Sequence, residues 1–151
     1  MTRKRAEKMT LSCFKSGFCC TEAVIKSITE LYAEQSSGAI PKVGSGFCGG
    51  VGKTTEDICG TVAGGVIAFG YLFGKNNKDE DNTIACEYTA EFRKRFIEKY
   101  GTTNCRELLN KFGEQDKMDK CKKMTADAAG LIADMLSGKS RWRPVSASTQ
   151  K

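Results

Sequence analysis

The sequence predicts an all-α fold, a single-domain bundle of five to six helices with a glycine-rich loop ahead of a buried central helix. Three observations carry this. Apolar residues recur at helical spacing in several separate stretches. Residues 58–74 form an uncharged run rich in small side chains. No convincing strand accompanies them, and Val66 to Phe73, which could be extended, has neither a turn signal nor an alternating pattern. At 151 residues and 40% hydrophobic composition, the chain has the length for one domain with a real core.

Residues 4–16 read as a short amphipathic helix, with Met9, Leu11 and Phe14 as its apolar contacts and Gly17 as its interruption. A second helix runs from about Cys20 to Glu34, where Ala23, Val24, Ile28, Leu31 and Tyr32 fall on one face. Ser36, Ser37, Gly38 and Pro41 end it and open a glycine-rich loop over residues 44–52. Thr54, Thr55, Glu56 and Asp57 supply polar caps and early acids for the next helix.

The run Ile58 to Gly74 is long enough to raise a membrane span. Glycines 60, 64, 65, 70 and 74 dilute its hydrophobicity and acids stand directly before it, so a buried central helix is predicted and no membrane. Residues 79–100 make a long charged helix with a buried stripe of Ile84, Tyr88, Phe92, Phe96 and Tyr100, stopped by Gly101. Cys105 to Phe112 is a short helix with Leu108 and Leu109 inward. A last helix, about 117–136, presents Met124, Ala128, Leu131, Ile132 and Met135. Gly138 ends it. The domain is thus expected to span 1–137, with a basic, disordered tail over 138–151.

Composition narrows the chemistry. The formal charge of +6 gathers at the two ends, as solvated termini do; no basic helix carries interleaved aromatics and no reader motif appears, which argues against nucleic acid. There is no histidine, so the usual general base, the commonest metal ligand and the proximal ligand of most haems are missing. His-assisted hydrolysis and His-bearing zinc sites are excluded. Eight cysteines remain: Cys13, Cys19, Cys20, Cys48, Cys59, Cys86, Cys105 and Cys121. Met1 to Lys15 is basic without a sustained apolar stretch, so a cytoplasmic location is expected. In that setting metal binding or thiol redox chemistry outranks a disulfide scaffold.

Cys48-Gly-Gly-Val-Gly-Lys-Thr-Thr55 nearly spells a deviant Walker A loop, whose backbone N–H groups would cradle phosphate. Its context does not fit. Cys48 stands where the signature lysine belongs, no apolar strand precedes the loop, and no Walker B segment follows. Nucleotide binding therefore ranks low.

The order of motifs resembles a known family. Gly17-Phe-Cys-Cys-Thr-Glu-Ala-Val24 is similar to the start of the C_GCAxxG_C_C family of redox-active proteins, and Gly46-Phe-Cys-Gly-Gly-Val-Gly52 to its glycine loop. Cys59-Gly-Thr-Val-Ala-Gly64 resembles its Cys-Gly-Ala-x-x-Gly helix. Tyr100-Gly-Thr-Thr-Asn-Cys-Arg-Glu-Leu108 resembles its late Gly-x3-Cys-x-x-Leu element, and Cys121 its last cysteine. The resemblance runs from about residue 4 to 136. It carries over Cys20, Cys59, Cys105 and Cys121 as the ligand set. Similar sequence occurs in the iron–sulfur part of split-Soret cytochromes, which implies an iron–sulfur cluster. Three departures stand out: Cys19 where the family often has Asn, Cys48 where it often has Gly, and Thr61 where it often has Ala.

Such a cluster takes thiolates converging on one pocket, and soft sulfur donors select iron–sulfur, copper(I) or zinc. No Cys-x-x-Cys pair is present, so the ligands have to come from separate helices. Cys20 and Cys59 lie near predicted helix N-termini, where the dipole favours thiolate. Cys48 is a further candidate, and Gly49 and Gly50 would let backbone approach a cluster closely. Cys13 and Cys86 read as small buried hydrophobes. The expected function is electron transfer or redox sensing with a redox partner protein, by a carrier rather than a substrate-turnover enzyme. The alternative is a metal-free thiol–disulfide oxidoreductase or switch pairing Cys20 with Cys19 or Cys59. Structural zinc ranks below that. Glycine-rich helix faces make a homodimer a further expectation.

Overall fold

A computed structural model describes residues 2–35, 40–138 and 141–146. Helix α1 spans Arg3–Lys15, α2 Cys20–Tyr32, α3 Ile40–Val43, α4 Gly60–Phe73, α5 Thr83–Tyr100, α6 Cys105–Phe112 and α7 Asp119–Leu136, with a 3-10 turn over Ser45–Phe47. Among the described residues there is no strand, only an isolated bridge between Ile58 and Asn104. The all-α class stands. The helix count becomes seven among the described residues, because the single turn α3 holds Pro41, read from sequence as part of a helix stop, inside a helix.

Small residues decide how closely the helices approach. A Cβ at Gly64 would stand 2.8 Å from the carbonyl oxygen of Thr21, so α4 meets α2 nearly backbone to backbone. One position on, Gly65 makes room for the Phe92 ring from α5. Val24 and Ile28 of α2, Val62 and Phe69 of α4, Phe92 and Phe96 of α5 and Ile132 of α7 close the core. Helix α1 lies across α2 and α7. Its fully buried residues are Ala6, Thr10 and Cys13; of the expected apolar contacts, Met9 packs part-buried against the core, while Leu11 and Phe14 are half-buried. Arg3 fastens this helix by bonds to Glu7 (2.7 Å), Asp127 (2.5 Å) and Asp134 (2.7 Å), while Tyr100 donates to Asp127 from α5 (2.5 Å).

Two further expectations change. Helix α4 begins at Gly60 rather than near Thr54, because Thr55 has φ 62° and residues 55–59 pair with residues 103–106 instead of coiling. Its N-terminal two-thirds is buried while Gly70 and Tyr71 face solvent, and no helix among the described residues is long and apolar enough to cross a membrane. Cys86, expected to be a buried packing residue, is exposed on α5. Cys13 is buried, with the Ser27 hydroxyl 3.8 Å from its sulfur. Ser36, Ser37 and Gly38, read as a helix stop, lie outside the described residues, as do 139–140 and 147–151 of the tail. Within that tail, Trp142 packs edge-on against Tyr88 at 5.0 Å, and the Ser146 hydroxyl donates to Glu87 at 2.5 Å.

Candidate functional site

Four helix beginnings point at one place. Cys20 is the first residue of α2, Cys59 the N-cap of α4, Cys105 the first residue of α6, and Cys121 the third residue of α7. All four line a cavity of about 590 Å³, together with Cys19, Cys48 and Gly49. Each N-terminus brings the positive end of a helix dipole, which acts in favour of anionic sulfur at the centre. The sequence-derived set Cys20, Cys59, Cys105, Cys121, Cys48 and Gly49 is thus gathered on one surface, and Gly50 lies directly behind Cys105.

The local chain explains the gathering. Close contact of α2 with α4 sets Cys20 beside Cys59: a Cβ on Gly60 would collide with the Cys20 sulfur. Cys59 N–H donates to Thr103 O at 2.7 Å and Cys105 N–H to Asp57 O at 2.8 Å, which binds the second and third cysteines side by side. Gln115 holds the fourth. Its amide oxygen accepts from Cys121 N–H at 2.8 Å and its Nε2 approaches the Cys121 sulfur at 3.2 Å.

The glycine loop takes a rare path. Residues 49 to 53 all have positive φ, including Val51 at 65° and Lys53 at 64°. Left-handed backbone costs little at Gly49, Gly50 and Gly52, but a β-branched residue adopts it only under constraint. The constraint is a set of crossing bonds: Gly52 N–H to Gly46 O (2.7 Å), Lys53 N–H to Cys48 O (2.9 Å) and Thr55 N–H to Gly49 O (2.9 Å). These N–H groups are spent on the chain itself. What the turn achieves is close approach: a Cβ on Gly50 would sit 3.1 Å from the Cys105 sulfur.

Burial governs the thiols. Cys59, 5% exposed, has its pKa pushed up from 9.0 to about 12, chiefly by burial and then by the neighbouring Cys20, against hydrogen bonds from Thr61 and Val62. Burial likewise raises Cys105, helped by Cys20 and Cys121, and raises Cys121 against the Gln115 hydrogen bond. At Cys59 burial thus opposes the helix dipole that favours thiolate. These mutual influences place the sulfurs near one another. They are not packed as around a single ion, however. Among the described residues, the donor group gathered within 4.8 Å is a different one, Cys19, Glu22 and Cys48.

Cys19 and Cys48 are joined as a disulfide across 29 residues, with Cα atoms 6.0 Å apart. The expected thiol partners were Cys20 with Cys19 or Cys59; here Cys19 pairs with the loop cysteine, while Cys20 and Cys59 are free. Glu22 completes a capping box on α2, accepting from Cys19 N–H at 3.4 Å, and its carboxylate lies 3.7 Å from the Cys48 sulfur.

The family described as "Putative redox-active protein (C_GCAxxG_C_C)" matches residues 18–135. The chain belongs to this family. No curated protein and no solved structure matches it. Three residues of this C_GCAxxG_C_C protein that touch the cavity cysteines escaped sequence reading. Glu22 had a legible signal, an acid three residues after an N-cap, with Cys in the usual Ser/Thr place. Thr61 was visible only as a departure from the family pattern. Gln115 lies in a loop between α6 and α7 and carries no periodic signal.

Proposed function

We propose that this C_GCAxxG_C_C protein is a one-electron carrier or redox sensor that holds an iron–sulfur cluster on Cys20, Cys59, Cys105 and Cys121. One observation carries this reading: four cysteines, each at the start of a different helix, line one cavity of about 590 Å³. The donor chemistry fits, since four soft thiols face one space with no imidazole anywhere in the chain. So does the shape, for Gly50 and Gly60 remove the side-chain carbon that would crowd Cys105 and Cys20. A tetrahedral zinc site draws its sulfurs to within about 3.8 Å of one another, tighter than these four stand, which favours a multi-iron centre over structural zinc.

The chain's residues would work as follows. The four thiols lose their protons on loading and become ligands, and the helix dipoles offset the resulting charge. Gln115 and Thr61 direct donors at Cys121 and Cys59, the kind of hydrogen bond that sets a potential. A bound cluster would supply reversible one-electron transfer. Phe18 and Met118, exposed at the cavity mouth, give a redox partner an apolar landing. Protein purified without oxygen should be brown and contain iron and acid-labile sulfide in stoichiometric amounts. Colourless, iron-free protein after anaerobic reconstitution would overturn the reading. A second reading, thiol–disulfide exchange without metal, is favoured by the Cys19–Cys48 bond alone. It would show as full redox cycling of that pair in iron-free protein.

A further inference from the structure

Two cysteines outside the four-cysteine set, Cys19 and Cys48, meet in space. Cys19 closes the turn before α2, Cys48 follows the 3-10 turn, and 29 residues separate them. Between them stands Glu22, and the two sulfurs and the carboxylate lie within 4.8 Å of one another. The carboxylate is held there by the Cys19 N–H. Against a disulfide that carboxylate gains nothing, because the sulfurs carry no proton to donate. Against a cation it is a ligand. Two sulfurs and one carboxylate oxygen form a donor set that takes zinc-class ions.

We propose that the reduced Cys19–Cys48 pair, with Glu22, binds one divalent metal ion of the zinc class, and that the disulfide is the closed, metal-free state of the same site. Opening requires an external dithiol. One of its thiolates attacks a sulfur of the pair and breaks the S–S bond, forming a mixed disulfide. The second thiol then displaces it, and the dithiol departs as a disulfide. Two electrons and two protons remain on Cys19 and Cys48. A divalent ion then replaces those two protons, which pass to solvent, and the Glu22 carboxylate fills a third position. Water would complete the shell. The site stands at the wall of the cavity that the other four cysteines line, and uses none of them as ligands.

The test titrates cobalt(II) anaerobically into the full chain, once with the disulfide intact and once after reduction and removal of reductant. Reduced protein is expected to take up one cobalt more than the disulfide form, with added thiolate-to-cobalt absorption. The extra equivalent should vanish in the C19S/C48S double variant, and Glu22→Gln should weaken it at least about tenfold. Alkylation with mass spectrometry should find Cys19 and Cys48 shielded when cobalt is present. Equal uptake by the reduced chain and the double variant overturns the proposal, as does alkylation of both residues at rates that cobalt leaves unchanged. Should the double variant fail to fold by circular dichroism, the footprint and the Glu22→Gln affinity decide. Loss of iron and sulfide from the larger cavity is read separately and moves none of these outcomes.

Discussion

At the residue scale, the site is shaped by atoms that are missing. Gly50 combines φ 64° with a Cβ position overlapping Cys105, so Gly50→Ala meets both backbone strain and a clash. It is expected to cost about 1–3 kcal/mol in denaturant unfolding, with reduced iron loading. Cys59 makes the opposite kind of statement, because its sulfur is present but starved of solvent. Its proton is held in the folded chain up to about pH 12 and released near 9.0 in the unfolded one. The folded state thus binds more protons across that window, and metal-free protein should lose stability as pH climbs from 9.0 toward 12. Chemical denaturation at several pH values measures this, and Cys59→Ser should flatten that slope.

At the element scale, helix α4 is the frame on which the cysteines are hung. Gly64 against the Thr21 carbonyl fixes its distance from α2, and that distance sets Cys20 beside Cys59. Gly64→Ala has no room without parting the helices and is expected to destabilise by about 1–3 kcal/mol, seen as a lower unfolding midpoint. Most helices were legible in sequence because their apolar spacing is local information: α2, α5, α6 and α7 appear within a few residues of their expected bounds. The start of α4 was not. Thr54 to Asp57 looks like a cap, but the long-range pairing of residues 55–59 with 103–106 claims it. The fully buried part of the inward face of α1 was missed for a related reason. Its buried residues Ala6, Thr10 and Cys13 are small or polar, chosen by close packing on α7 and α2 rather than by hydrophobicity.

At the scale of the whole molecule, the site is a product of topology. Residues 20, 59, 105 and 121 share no local spacing, and only the crossing of α2, α4, α6 and α7 brings them to one cavity. Family resemblance, not periodicity, pointed to these four in the sequence. The Cys19–Cys48 partnership was illegible, because its two members look like isolated departures until α2 and the glycine loop are placed together. The left-handed turn over 49–53 was equally hidden, since Val51 and Lys53 give no sign of positive φ. The most direct test of convergence is iron content per chain, measured after anaerobic purification of six single cysteine-to-serine variants. Iron should fall in each of the variants at 20, 59, 105 and 121 and stay at the parent level at 13 and 86. Parent-level iron in any of the first four, or equal loss in all six, would contradict a shared centre.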